Sequence, residues 1–586
     1  MKKITRDVRE KKPETERGET EKQKTEKSAD TKTENEKADL EPGKKPGKRR
    51  QRLRTALLAL CAVSIFAVVF LVSCKKEPET VTLHFLMFGE EPEGMEEVLE
   101  EFYRRTHDSL GIRIEMDWIG AIGADYRTMS DVRLSSRADY DLVFDAEWVH
   151  LYEMQEKGIY ADLGPYLNNP DYPGLQGAFS ETVLENNLVN GEQCALPIFR
   201  TYGSGIPCIY YRKDLASEYG IGSVDSLEDL EAYLQTLLRE EPDMIPLVLN
   251  GNRGFYTFRP RAYILNADQG RRIVYPITIE NIIVVAQLDE TLTRVEAVGI
   301  MGDEESFSGF MEGLQFDFLI QNLEGYREWN RYCEEDVLNR RNQETVFQTG
   351  AGGAFIATLD NYEEVSGQLA RNVAGASLGV YIINTRVKNM EEQAIATNYR
   401  ANNYVCVPAS SMHMEKTMRF LDWLFSDRAN HDLFEYGIEG THWRAVGEER
   451  YETIVDEDGG SYSFPGYALT WNPGYVRFPS DMPEDILAYK EYETWESTFY
   501  RNLLADFSFD QTPVQNQMRK AEQIIGQVWP ALSNGLLEEP ADVLRDAMRE
   551  AKKNGLDEIL EELQRQLQDY LDSLHGDKPE NLGNHG

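Results

Sequence analysis

Apolar and polar positions first alternate regularly at Val81. Val81, Leu83, Phe85 and Met87 recur at period two around Thr82 and His84, which predicts a strand. Met95, Val98, Leu99, Phe102 and Tyr103 then recur at helical spacing, predicting an amphipathic helix over 95–106. Ile112, Ile114, Met116 and Trp118 return to period two. A helix over 125–135 and a compact apolar strand over 140–144 follow. Strand, helix, strand, helix, strand is the order that builds a parallel α/β sheet.

The grammar resumes after Leu196. A strand over 209–211 runs into a helix start at 212–215, and Ser226 with Asp229 three positions on caps a helix over 227–238. Residues 246–249 read as a strand and 271–300 as β-rich hairpins. A helix is expected over 326–340, with Trp329, Tyr332 and Val337 on one side. Strands at 354–356 and 379–383 and a helix at 416–425 come next. The stretches 514–529 and 542–574 are helical. Leu556, Ile559, Leu560, Leu563, Leu567, Tyr570 and Leu574 form one apolar face, the mark of a helix docked on a core.

Before Val81 the pattern is different. Residues 1–54 are rich in Lys, Glu and Thr and cannot bury a core, so they stand outside the fold as a disordered polar segment. Arg49, Arg50, Arg52 and Arg54 precede an uncharged run over 55–72, the layout of a secretory signal. The run ends Leu71-Val72-Ser73-Cys74, which resembles the bacterial lipobox, where the Cys becomes the new N-terminus and carries lipid. The resemblance implies a signal region over 55–73, lipidation at Cys74 and a linker over 74–80, tethering the rest to the outer face of a membrane. An uncleaved transmembrane helix is the alternative, since the run is just long enough to span. In both readings the basic cluster stays inside and the body lies outside.

Charge sharpens the division. Residues 1–73 carry 19 Lys and Arg against 12 Asp and Glu, while the remainder carries 43 against 89. A body so acidic repels nucleic acid and anionic headgroups. After Cys74 only Cys194, Cys208, Cys333 and Cys406 remain, too few for a disulfide framework; Cys194 and Cys208 can pair, but small buried hydrophobes are expected.

Catalytic signatures are missing. Gly350, Gly352 and Gly353 lack a following Lys-Ser/Thr and read as a tight turn before a strand; Gly203-Ser204-Gly205 lacks the spacing of a nucleophile elbow. No His/Cys cluster has metal-ligand spacing, so no catalytic residue, metal or cofactor is assigned. Ligands of open α/β sheets bind outside the carboxyl ends of strands. Asp145, Glu147 and Trp148 follow one predicted strand, Trp118 ends another, and Arg200 and Tyr202 precede a third. Aromatic rings beside carboxylates, amides and Arg suit a sugar, with its C–H faces and many hydroxyls.

The stretch YDLVFDAEWVHLYEMQEKGIYADLGPYL at 140–167 resembles the family 1, maltose-binding type, extracellular solute-binding proteins of bacterial ABC importers. Collinear likenesses follow: Leu196-Pro197 before Tyr210-Tyr211-Arg212-Lys213-Asp214-Leu215, then ASSMHMEKTMRFLDWLFSD at 409–427. Tyr436-Gly437-Ile438-Glu439-Gly440-Thr441-His442-Trp443, Trp471-Asn472-Pro473-Gly474 and Trp529-Pro530-Ala531-Leu532 resemble a Gram-positive lipoprotein subgroup with a C-terminal helical extension.

The resemblance implies a two-lobe, type II periplasmic-binding-protein-like α/β fold with an interlobe cleft and extra C-terminal helices. One lobe is expected over 81–200 and 379–430, the other over 201–378 and 431–575, with 576–586 a tail. It also implies a monomer that closes on a sugar or oligosaccharide and docks on the permease's transmembrane subunits. Cleft residues carry over to Trp148, Tyr202 and Asp360; the maltose binders' Trp is replaced in Thr358-Leu359-Asp360, which argues against maltose itself. The subgroup is linked to uronate-containing sugars, and Arg200, Arg253 and Arg259 are candidate carboxylate partners. An exported carbohydrate-active enzyme and a peptide binder are the alternatives.

Overall fold

A computed structural model describes residues 80–576, apart from 121–123, 137–138, 204, 258–272, 280–281, 301, 311–317 and 457–458. The signal region, Cys74, Ser204 and Arg259 lie outside the described residues.

The chain opens with β1 (Val81–Phe88), β2 (Ile112–Ile119), β3 (Leu142–Ala146) and β4 (Ala195–Ile198). It continues into β5 (Pro207–Arg212) and β6 (Ile245–Val248), then a three-stranded excursion of β7 (Val274–Ile279), β8 (Ile282–Leu288) and β9 (Val295–Ile300). Next come β10 (Gly352–Thr358) and β11 (Leu378–Ile382), and the short β12 (Ile395–Thr397) leads to β13 (Asn403–Cys406). The remainder adds β14 (Trp443–Val446), β15 (Arg450–Thr453), β16 (Phe478–Pro479), β17 (Phe499–Arg501) and the helices Gln515–Ser533, Pro540–Lys553 and Leu556–Gly576.

Two sheets organise these elements. The first has the order β2-β1-β3-β13-β4, parallel from β2 through β3, with β13 antiparallel to both neighbours. The second has the order β11-β5-β10-β6, with β5 antiparallel to β10 and β11. Both faces of the second sheet are covered, as the two-residue period shows. Ile209 and Tyr211 of β5 enter one core, shared with the excursion and the C-terminal helices, while Cys208 and Tyr210 enter another with Phe347 and Phe355. The first sheet builds its own core with Phe85, Phe102, Phe144 and Phe420.

The predicted elements are found with two corrections. Ser226 caps the helix Leu227–Glu240, accepting from Asp229 N at 3.0 Å. The helix expected over 326–340 instead ends with Phe318–Trp329, followed by 3₁₀ turns at Asn330–Tyr332 and Val337–Asn339. Trp329, Tyr332 and Val337 still share a core, so tertiary packing and not one helix face unites them. The apolar face over 542–574 is divided between two helices, because Gly555 takes φ +98° and turns the chain. Cys194, Cys208 and Cys406 are free and buried, without the Cys194–Cys208 pair. Part of the segment expected with the second lobe packs in the first core, where Phe434 meets Phe102 and Phe420 at 5.7 and 5.5 Å and is joined by Tyr462, Phe464 and Leu469.

The C-terminal helices share the second sheet's core through Leu556, Ile559, Leu563, Leu567 and Leu571, all fully buried. Leu563→Ala should therefore destabilise by about 3 kcal/mol, read by urea unfolding. A loss below about 1 kcal/mol would show that this helix is an appendage.

Candidate functional site

Between the two sheets lies a cavity of about 690 Å³. Strand register explains its walls. Asn403, the first residue of β13, pairs with Ala146 and Ile198, so Glu147 and Phe199, one step beyond, flank it at the same sheet edge. In the second sheet Thr358 pairs with Pro207, which brings Asp360 and Gly205 to the facing edge. A Cβ on Gly205 would lie 2.0 Å from an Asp360 oxygen, so a larger residue here would push the Asp360 carboxylate from its place. Arg200 and Thr201 from the first crossover, and Asn398, Arg400 and Asn402 from the return crossover, complete the lining with Asn361, Trp471 and Lys490.

Charges here come with partners. Arg400 Nη2 lies 3.0 Å from Glu147 and also donates to the Tyr152 hydroxyl, and Nη1 lies 3.3 Å from Asp506. Lys490 Nζ donates to Glu493 at 2.9 Å and to Asp360 at 3.4 Å. Glu493 is buried, which pushes its carboxyl up against the pull of Lys490, and it accepts from the Ile206 backbone N–H at 2.9 Å. Arg200 lies 3.9 Å from Glu363.

Aromatic rings form a row beside the cavity. Trp148 is 44% exposed and its indole N–H donates to Asn403 Oδ1 at 3.3 Å. Phe88 touches Trp148 at 5.5 Å and Tyr467 at 5.6 Å, and Tyr467 touches Trp471 at 5.8 Å. An exposed Trp held on its edge presents a face that can stack on a ligand.

Of the candidates read from the sequence, Glu147, Arg200 and Asp360 line the cavity, and Trp148 adjoins it through Asn403. Three others do not line it. Trp118 packs against Phe464 at 5.9 Å with its indole N–H buried. Tyr202 wedges among Phe199, Tyr399 and Phe499, and burial pushes its hydroxyl up to about 12. Asp145 is fully buried and accepts from Ala146 N, His150 Nδ1 and Tyr160 OH, so its oxygens serve the fold. Arg253 stands exposed in the turn after β6. Sequence reasoning missed Arg400, Asn398, Asn402 and Asn403 as site residues. Their signal was a run of amides and Arg, Asn398-Tyr399-Arg400-Ala401-Asn402-Asn403, set against a buried strand.

One arrangement mimics a catalytic triad. Ser130 Oγ lies 3.0 Å from His150 Nε2, and His150 Nδ1 lies 2.7 Å from Asp145. All three residues are buried, and Ser130 Oγ is also bonded to the Arg127 carbonyl at 3.0 Å, so the set pins the helix Ala124–Ser136 to β3. A nucleophile needs access to a substrate carbonyl, and this hydroxyl has none. Among the described residues no group of His, Cys, Asp or Glu is placed to hold a metal ion, and no helix is long and apolar enough to cross a membrane.

Comparison with known proteins agrees with this architecture. The N-glycan transport solute-binding protein NgtS of Streptococcus pneumoniae is 18% identical, over 84% of this chain and 99% of its own, with a TM-score of 0.58. An HMO-binding, ABC-transporter-associated solute-binding protein of Bifidobacterium longum infantis is 14% identical, over 84% and 99%, with a TM-score of 0.51. The fold is the α/β two-lobe solute-binding protein fold with C-terminal helices. A domain of unknown function, DUF3502, matches residues 503–572. No curated protein matches the chain.

Asp145→Ala would leave His150 and Tyr160 buried without their acceptor. It should cost about 3 kcal/mol in urea unfolding; a loss under about 1 kcal/mol would mean that the network does not anchor the fold.

Proposed function

We propose that this chain is the solute-binding component of an ABC importer, capturing an oligosaccharide between its two lobes and presenting it to the permease's transmembrane subunits. The observation that carries the reading is a cavity between facing sheet edges, where Phe199 and Trp471 meet four asparagines and three ion-paired cations, with the exposed Trp148 beside it. Sugars need that mixture: flat rings for their C–H faces, and amides and charged groups for their hydroxyls. The ligands in the names of the two similar solved proteins, an N-glycan and HMO, point the same way.

The rest of the proposal combines the two-sheet architecture with the sequence that ends at Cys74. Closure of one sheet's body toward the other would bury the ligand, and the chain itself performs no chemistry. Lipid on Cys74 would hold the monomer at the outer face of the membrane, beside its permease. Mass spectrometry of the chain purified from membranes of its native host should then find a lipid-modified Cys74 as its N-terminus. An N-terminus that still precedes residue 55 would favour an uncleaved span.

A thermal-shift screen against oligosaccharides tests the main reading, because a binder is stabilised by an amount that grows with the logarithm of ligand over Kd. With a hit in hand, Trp148→Ala should weaken it about tenfold or more. Unchanged affinity would remove Trp148 from the site, and cleavage of the glycan would make the chain an enzyme.

A further inference from the structure

Three cations reach the cavity, Arg200, Arg400 and Lys490, within a body that is otherwise strongly acidic. Taken alone, they suggest a site for an acidic sugar. Their partners argue the opposite. Arg400 is held by Glu147 and Asp506, Lys490 by Asp360 and Glu493, and Arg200 faces Glu363. Among the described lining residues, no cation is without a protein carboxylate within 4 Å.

We propose that Glu147 and Asp360 act as built-in counterions that make the cleft selective for uncharged oligosaccharides and exclude uronates and other acidic sugars. The inference rests on the oligosaccharide reading above and decides the charge of the ligand within it. Both carboxylates line the cavity and are exposed, Asp360 far more than the buried Lys490 and Glu147 beside an equally accessible Arg400, so an incoming carboxylate meets a fixed negative charge at each of these cations. To pair with Arg400 or Lys490 it must displace a carboxylate that the fold supplies without loss of translational freedom. If it displaces neither, like charges stand side by side, the arrangement by which interfaces reject wrong partners. A neutral hydroxyl meets no such conflict. It can donate to Glu147 or Asp360, whose remaining lone pairs stay free for it, and bond to Asn361, Asn398, Asn402 and Asn403.

The test is a titration of the full chain by thermal shift and calorimetry with matched pairs of neutral and uronic oligosaccharides, such as galactotriose and trigalacturonate. Neutral members should bind, and their uronic counterparts should bind about tenfold more weakly or not at all. The double substitution Glu147→Gln, Asp360→Asn keeps both shapes and removes the two cavity-lining counterions, leaving Arg400 with Asp506 and Lys490 with Glu493, so it should narrow that ratio. A uronic member that binds the native chain as tightly as its neutral match overturns the inference and leaves the oligosaccharide reading standing. So does an unchanged ratio in the double variant, provided its unfolding curve matches the native one. If no oligosaccharide of either kind binds, the solute reading itself fails, and this inference with it.

Discussion

Everything at the site depends on one strand pairing. β13 runs antiparallel between β3 and β4, joined by ladders to residues more than 200 positions earlier in the chain. Such a non-local pairing must overcome loop-closure entropy, and it does so where Val405, Leu196 and Phe144 are all buried. Its first residue, Asn403, is therefore delivered to the edge where β3 and β4 end. Asn187 secures the approach. Its amide donates to the carbonyls of Val183 and Tyr399, and its oxygen accepts from Ala401 N and the Tyr404 hydroxyl. One buried side chain satisfies four polar groups and fixes the path that carries Arg400 into the cleft.

That delivery explains why the lining is so polar and yet so quiet electrostatically. Crossover segments cannot hide in a core, since their backbone groups lack ladder partners. They run along the cavity instead and carry Asn398, Arg400 and Asn402 with them. An unpaired guanidinium is costly away from bulk water, so Arg400 and Lys490 meet Glu147 and Asp360 from the sheet edges, and Arg200 faces Glu363 of the helix Tyr362–Asn372. The aromatic row from Trp148 through Phe88 to Tyr467 and Trp471 supplies apolar contact beside these pairs.

Much of this was legible in the residues. Period-two and helical spacing mark β1, β2 and the helices Met95–Thr106 and Leu227–Glu240, because the helices bury one face and wet the other and the strands bury one face more deeply, although Leu86 of β1 is buried on its opposite face too. Spacing misled where packing overrode local pattern. Trp329, Tyr332 and Val337 look like one helix face but reach their core from a helix end and two turns. At the site, the end of β3 brings Glu147 to the cavity lining and Trp148 beside it, whereas Asp145 lies within the strand and is buried. Nothing in the sequence separates a carboxylate that faces a cleft from one buried beneath it. That distinction arises from His150 and Tyr160, which local pattern does not bring to Asp145. The return-crossover asparagines escaped notice because their neighbours in space are strand ends far off in sequence.

The buried Lys490–Glu493 pair fixes one end of the first crossover. Lys490 and Glu493 keep only 5% and 1% of their side-chain surfaces exposed. Such a pair adds little net stability, since desolvation offsets most of its attraction. Its consequence is positional. Glu493 holds the Ile206 N–H while Lys490 holds Asp360, so the end of the first crossover is clamped to the second sheet. At the other end, Phe199 N donates to the Trp471 carbonyl and ties that crossover to the first lobe's aromatic row. Between these ties, Thr397 Oγ1 donates to the Tyr202 carbonyl and β12 pairs with β17. Any rotation of one sheet against the other must therefore twist these neighbouring segments together, which favours a concerted hinge over independent flexing of each crossover.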